Sequence, residues 1–541
     1  MPDNLQSAKS SDPRMTSSPF RFGVTCCFAL GGLIFAAWLA LFFHDGNRPV
    51  PPQERADRLA ADNYRDWSLS APVPPSPAHW AQRQVWQDPA TGARHPVARE
   101  DAALTIAIAG GNPRLAGALA CGFATAALGW LALGIASLPR SLAVGLTAAI
   151  VLSVTHGLAW QMTDPAPFLF LGASSLAVGA WLRYRAQPRK RIAWLAGIGL
   201  AGMSVQGAAP ALLLSAMMAI DLLALKRGDP RPIPAHPRPG LWCAAIAPVL
   251  LTALLGLKNL GSTGSLLESP AQAYTTSATT APRWFWEQTR VPQDSLDPVL
   301  ERYDELVAIP QTRWETPVYQ TWLKRMIDGA FLSGGLALAI LGLGAALAIP
   351  AKDARPAWLI VAGVSILALL RHDVPRSWWT LLSPAWLILN ALGAVRLAAA
   401  PALARRTLVL AGLFHAALLA MAPQATDTDA EYVFSKRIKD VTKKLLEQPG
   451  PHLVFVSLDN ACDGRLEPGD LPRDWSKSPV LFARDLGPEK NAALVASMPD
   501  YKPSLIKVLP GGIGLKPWKA ETAPQAADTP EGAPAATEST R

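Results

Sequence analysis

The feature that most constrains this chain is a series of long apolar runs, beginning with residues 23–43 (GVTCCFALGGLIFAAWLALFF), which carry no charge at all. A helix of about 20 apolar residues crosses the ~30 Å hydrocarbon core of a bilayer. Arg14 and Arg21 precede this run, as cations precede a secretory signal. The stretch is longer than a signal peptide's apolar region and no small-residue cleavage site follows, so it reads as an uncleaved anchor. Further runs lie near 115–137, 141–156, 167–182, 192–206, 208–225, 240–257, 330–350, 357–370, 377–395 and 407–422. With the first they make about 11 spans. Gly207 alone separates two of them, which is compatible with two tilted crossings or with a re-entrant hairpin buried in protein.

Charge placement orients the chain. The 50 Lys and Arg against 41 Asp and Glu give a formal charge of +9, an excess that on a soluble protein would raise nucleic acid as a partner. If the N-terminus is cytoplasmic, the short inner loops hold fifteen cations: Arg140; Arg183, Arg185, Arg189, Lys190 and Arg191; Lys226, Arg227, Arg231 and Arg238; Lys352 and Arg355; Arg396, Arg405 and Arg406. The short outer loops, near 157–166, at Gly207 and at 371–376, hold only Arg371 and Arg376. This bias predicts an N-in, C-out topology, and a miscounted span would scramble it. With Lys9, Arg14 and Arg21 added, and Asp3, Asp12, Asp229 and Asp353 subtracted, the inner side carries +14 and the rest of the chain −5. The net charge thus reports insertion topology, gives no support for nucleic acid, and puts any chemistry on the outer side.

The expected fold is therefore mainly α: a polytopic helical membrane bundle with a small α/β extramembrane domain at the C-terminus. Residues 1–22 form an inner segment, 23–43 the anchor, 44–114 an outer loop, 115–257 and 330–422 the two parts of the bundle, and 258–329 a second outer loop. That second loop carries Trp284, Phe285 and Trp286, then Trp314, Tyr319 and Trp322, aromatics suited to helices lying at headgroup level. Residues 423–517 change composition. An amphipathic helix over 429–447 places Val433, Ile438, Val441 and Leu445 on one face and stops at Pro449 and Gly450. Strands HLVFVSL, PVLFARDL and SLIKVLP, with a helix EKNAALVASM before the last, predict a partly parallel sheet. The tail 518–541, rich in Ala, Pro, Thr and Glu, cannot bury a core.

Few motifs carry chemistry. GIGLAG, with Gly197, Gly199 and Gly202, fits a dinucleotide fingerprint only by letter; it lies inside a span, where small residues let helices approach closely. GGIGLK, with its second glycine at Gly512, lacks the phosphate-loop spacing and reads as a turn. The cysteines (Cys26, Cys27, Cys121, Cys243, Cys462) have no ligand or framework spacing. In the first outer loop, ERADRLAADNYRDW sets Asp57, Asp62 and Asp66 at helical spacings close to the membrane. A carboxylate there can act as a base toward a hydroxyl or hold a divalent cation against a leaving phosphate. The interleaved Arg55, Arg58 and Arg65 equally suit a salt-bridged surface helix. His156 and Asp164 border one outer turn, and Arg371, His372, Asp373 and Arg376 crowd another. Such groups either receive a lipid phosphate or anchor helix ends by snorkelling.

The layout resembles the multi-membrane-spanning (GT-C type) bacterial glycosyltransferases, in a poorly characterised, divergent branch. The resemblance is carried by LAADNYRDWSLSAP from Leu59, LAVGAWLRYRAQPRKR from Leu176, PRWFWEQTRVP from Pro282 with WETPVYQTWLKR from Trp314, LLSPAWLILNALGAVRL from Leu381, and HLVFVSL with VLFARDLGPEKNAAL at the C-terminus. It implies transfer of a sugar from a polyprenyl-phosphate carrier to an acceptor at the outer, periplasmic face of the bacterial inner membrane. Asp62 is then the base or metal partner and Asp66 the second choice, with Arg371, His372, Arg376 and His156 on the substrate side; the cofactor is unknown, a divalent metal being one option. Two departures stand out. Where similar proteins carry a polar cluster with Arg and Glu after the fifth span, this chain has Ser204, Val205, Gln206, Gly207, Ala208 and Ala209, and Thr380 stands where they place a His. A non-catalytic membrane scaffold that keeps this fold and presents its outer domain to a partner is the alternative.

Overall fold

The structure is a computed structural model. It describes residues 30–34, 50–135, 140–157, 164–228, 238–278, 318–334, 351–371, 374–398, 430–458, 472–509 and 512–518, except 33, 51 and 81. The first anchor is thus described only at its centre. The span expected at 330–350 beyond Gly334, the one expected at 407–422, the aromatics Trp284, Phe285, Trp286 and Trp314, and the tail beyond 518 lie outside the described residues.

The segment expected as the first outer loop is folded. Helix α1 (Pro52–Arg65) starts on a proline, which has no N–H to leave unpaired, and carries Glu54 in its first turn and Arg65 in its last, both matched to the helix dipole. A short hairpin follows, β1 (Val85–Gln87) against β2 (Arg94–Pro96), and then α2 (Glu100–Ile108). Ala61 of α1 packs against Ile106 and Ala109, burying one face of each helix. Gly110 and Gly111, both with left-handed backbone, then reverse the chain into α3 (Pro113–Ala132). Asn112 caps α3, its side chain accepting from the N–H groups of Arg114 and Leu115.

Most of the remaining described chain is helical: α4 (Arg140–Gly157), α5 (Ala166–Ala186), α6 (Lys190–Gln206), α7 (Ala208–Gly228), α8 (Arg238–Thr263), α9 (Pro270–Ala278), α10 (Val318–Gly334), α11 (Ala351–Leu370), α12 (Arg376–Trp379) and α13 (Leu382–Ala398). Among the described residues four stretches are long and apolar enough to cross a membrane: Pro113–Ala132, Ala166–Ala186, Trp242–Thr263 and Ser377–Val395. Ala208–Leu223 and Ala354–Leu370 are shorter apolar helices. A continuous apolar core joins α3, α4, α5, α7, α11 and α13 through Leu128, Phe168, Phe170, Trp181, Leu214, Ile360 and Trp386.

The glycines of GIGLAG act as the small-residue reading expects. A Cβ at Gly197 would stand 2.5 Å from the carbonyl oxygen of Ala244 in α8, and one at Gly199 would stand 2.6 Å from backbone atoms of Ala173 and Ala177 in α5. Helix α6 is thus pressed between two neighbours, an approach only glycine permits. Trp322 departs from expectation: it packs on the bundle core, and its indole N–H donates to the Ser365 carbonyl of α11 at 3.3 Å, so α10 belongs to the bundle at that point.

The C-terminal part is an α/β sandwich. Helix α14 (Ala430–Leu446) leads to β3 (His452–Leu458), β4 (Val480–Arg484), α15 (Pro488–Ser497), β5 (Lys502–Leu509) and β6 (Gly512–Pro517), with sheet order β4-β3-β5-β6. Strands β4, β3 and β5 are parallel, as expected. GGIGLK corrects the reading as a mere turn. Its residues from Gly512 onward form β6, antiparallel to β5 with Leu509 opposite Gly512. Alternation along β3 decides the two faces. Val454 and Val456 meet Phe434 and Leu445 of α14, while Leu453 and Phe455 meet Leu494 and Met498.

Candidate functional site

The second face of that sheet is closed by the segment between α1 and β1. Trp80 lies in the core formed by Leu453, Phe455, Leu481, Ala483 and Leu494, and its indole N–H donates to the Pro75 carbonyl at 2.8 Å. Beside it His79 is buried, with Nδ1 2.7 Å from Ser76 Oγ and Nε2 3.2 Å from Asn491 Oδ1. Burial lowers its pKa from the ordinary imidazole value. A second link ties Arg473 to Asp66, and the Arg473 Nε donates to Asn63 Oδ1 at 3.0 Å. The 44–114 segment and the C-terminal domain therefore form one unit, where the sequence suggested two separate ones.

This unit is fastened to one end of the helical bundle by Arg99, at the junction of β2 and α2. Its backbone N–H donates to Asp57 Oδ1 at 2.7 Å, and its Nε and Nη2 donate to Asp57 Oδ2 at 3.0 and 2.5 Å. The same guanidinium reaches Asp164 at the start of α5, with Nη1 to Oδ2 3.0 Å and Nη2 to Oδ1 2.9 Å. Asp164 in turn accepts from the Ala166 N–H at 3.0 Å, at the first residue of α5. Burial opposes the charge on Arg99, but Asp164 and Asp57 outweigh it and hold its pKa above the ordinary value. Burial pushes Asp57 the other way, to about 6, against the pull of Arg99.

Two further acids join at the N-terminus of α2. Glu100 is bound by the Tyr64 hydroxyl and by Lys258 of α8. Burial, and secondarily Glu100, raises the Tyr64 pKa, so the phenol stays protonated and donates. Asp101 accepts from Gln206 Nε2 at 2.5 Å, and the same amide nitrogen donates to the Ala166 carbonyl at 2.7 Å. Burial lifts the Asp101 carboxyl to about 7, with the Gln206 hydrogen bond and Arg99 pulling against it. Gln206 Oε1 is buried with no hydrogen-bond partner.

The acids singled out by spacing meet different fates. Asp57 is fully buried and serves the Arg99 clamp, so the surface-helix reading of this stretch fails at that position. Asp62 is half-exposed, 3.6 Å from Arg65; burial raises its pKa while Arg65, Arg473 and Arg58 oppose the rise. Asp66 lies just beyond α1 and is paired with Arg473. Arg371 stacks over the Trp378 ring at 4.4 Å, and its carbonyl accepts from Arg325 Nη1 at 2.9 Å. Trp378 fills the space that Gly207 leaves, too close for any Cβ there. Arg371 is thereby linked through Trp378 to the Gln206–Gly207 corner that also holds Asp101. His156 lies in α4 and Arg376 opens α12, but their side chains lie outside the described residues, as does His372.

Asp101, Arg99 and Gln206 were not among the expected site residues. The available signal was the pair Glu100–Asp101 opening an apolar helix directly after Arg99, a cluster of charge next to a membrane segment. Among the described residues no group of three or more His, Cys, Asp or Glu side chains is arranged to hold a metal ion. Chemically, the arrangement offers a half-exposed carboxylate, a second carboxyl titrating near neutrality and several guanidinium groups at one end of an apolar bundle. No protein-family model matches the chain, and no curated protein sequence matches it.

Proposed function

We propose that this is a membrane-embedded glycosyltransferase-like protein of the GT-C type, moving a sugar from a polyprenyl-phosphate carrier to an acceptor at the periplasmic face of the inner membrane. The bundle has about 11 spans on this reading, with the N-terminus cytoplasmic and the loop and C-terminal domain outside. Asp62 is the base, Asp101 the alternative base, and Arg371 with Arg376 receives the carrier phosphate, His156 and His372 lining the same side. One observation carries the reading: of the three spaced acids in α1 and its end, Asp57 and Asp66 are each tied to an arginine from another part of the chain, whereas half-exposed Asp62 has its ion pair at 3.6 Å with Arg65 of its own helix, a partner that can swing away. A base must reach its hydroxyl with a free lone pair, and a divalent cation on the leaving phosphate is compatible with it.

The test is to give purified protein polyprenyl-phosphate hexoses and lipid or glycan acceptors and to follow donor consumption. Turnover lost in Asp62→Asn supports the assignment. Turnover kept in that variant but lost in Asp101→Asn moves the base to α2. A second reading, the non-catalytic scaffold, is favoured by the engagement of Asp57, Asp66 and Asp164 in arginine pairs; it predicts no turnover with any donor.

A further inference from the structure

We infer that Trp67, Leu69, Leu266 and Leu267 form a lipid-headgroup anchor that rests the end of α1 on the bilayer surface. The inference depends on the reading that α8 crosses the membrane. Between Arg238 and Lys258 that helix is free of charge, and at 1.5 Å per residue the stretch covers about 28 Å, close to the hydrocarbon thickness. Val249, Leu250, Leu254 and Leu257 are all exposed along it, a stripe facing nothing in the protein among the described residues. Lys258, bound to Glu100, marks the outer end of the apolar stretch.

Beyond α8 the chain turns at Gly264, which has left-handed backbone, and folds back. Leu266 returns to the level of Gly256, where a Cβ would stand 3.5 Å from its carbonyl oxygen, so the turn doubles back below Lys258. Leu267 beside it is 88% exposed. On the same helix, Leu69 presses on Gly261, its Cδ1 2.8 Å from where a Cβ would lie. Gly261 is three residues past Lys258, which sets Leu69 about 5 Å above that boundary.

Trp67, two residues before, is 97% exposed and adopts φ 53°. It holds the left-handed position of a Schellman helix end: the Trp67 N–H donates to the Tyr64 carbonyl at 3.1 Å and the Ser68 N–H to the Asn63 carbonyl at 2.8 Å. Glycine is the usual residue there, because a side chain is strained. A bare indole in that conformation gains nothing from water. At a membrane interface the same ring is among the most favoured groups, and Leu69, two residues further on, rests against α8 at Gly261. The partner surface is therefore the headgroup region of the bilayer.

Spin labels placed by Trp67→Cys, Leu267→Cys, Val249→Cys and Ala90→Cys, in a background with the native cysteines replaced, read depth in phospholipid nanodiscs from collision with oxygen against a water-soluble nickel complex. The expected result is an oxygen-dominated signal at 249 and 267, and nickel access at 67 well below that at 90, on the exposed hairpin turn. Full nickel access at either 67 or 267, with 249 still in lipid, overturns the inference alone. Full nickel access at 249 overturns the spanning reading and the inference with it. Should the cysteine-free background fail to fold, the difference emission between the native protein and Trp67→Phe serves instead. Phospholipid brominated near the headgroup end of its chains should remove most of that emission, and an unchanged difference would overturn the proposal.

Discussion

Arg99 answers two carboxylates with one guanidinium, and the consequences can be weighed. Asp57 is wholly buried and the Arg99 side chain is 20% exposed, so the pair sits where removing one partner strands a charge, at a cost of about 3–5 kcal/mol. Arg99→Met should lower thermal stability by that order and loosen the start of α5 in hydrogen exchange, and adding Asp57→Asn should recover part of the loss. Asp101 sets a pH dependence with a definite sign. Its unfolded value is near 3.8 and burial in the fold raises it to about 7, so between those limits the folded state keeps a proton that the unfolded state has lost. The stability it contributes is full below about pH 4 and disappears as pH rises through about 7. Melting temperature against pH should fall less steeply over that window in Asp101→Asn than in the native protein; parallel curves would contradict the assignment. Little of this was legible in advance. The spacing of Asp57, Asp62 and Asp66 announced a helix, but the partner of Asp57 is 42 residues away, and no local pattern records it. Gln206 stood out only as one of the residues replacing an expected polar cluster, yet its amide joins α6 to both Asp101 and Ala166.

Between elements, the decisive contact is Trp80 in the core of the C-terminal sheet. Large aromatics buried in this way cost about 3–5 kcal/mol when cut to alanine. Trp80→Ala should therefore expose β3 and α15 to hydrogen exchange while leaving α3 and α5 protected, because the bundle core does not use that side chain. His79 adds a pH term of opposite sign to that of Asp101. Burial depresses its folded pKa below the ordinary 6.5, so its contribution is present above about 6.5 and is lost as pH falls through the depressed value. Protection of α15 should drop on acidification below that point in the native protein and less in His79→Gln. Periodicity made the strands and α14 readable, since β3 alternates its two faces residue by residue. It could not reveal β6, whose Gly512 and Gly514 weaken the strand signal, nor that a loop some 370 residues earlier would complete the sheet's second face.

For the whole molecule, the proposed chemistry depends on which side of a bilayer each part occupies. The apolar lengths of Pro113–Ala132, Ala166–Ala186, Trp242–Thr263 and Ser377–Val395 supply the means of crossing, and their direction follows from charge. Helix α5 follows Asp164, which Arg99 of the 44–114 segment clamps, and ends near Arg183 and Arg185. At that opposite end Arg183 stacks 3.6 Å over Trp130, and Arg185 meets buried Asp221 at 3.1 Å, so this arginine cluster ties α5 to α3 and α7. One end of this helix thus meets the acid-bearing 44–114 segment and the other a cluster of arginines, which the positive-inside rule would assign to the cytoplasmic side. The loop, the C-terminal domain and the candidate acids should all lie on the side opposite that cluster. Alkaline phosphatase fused after Trp518 should be active and a green fluorescent reporter there dark, with the reverse for fusions truncated after Gln187. Equal reporter behaviour at both points would break the orientation, and with it the placement of Asp62 and Asp101 at the outer face.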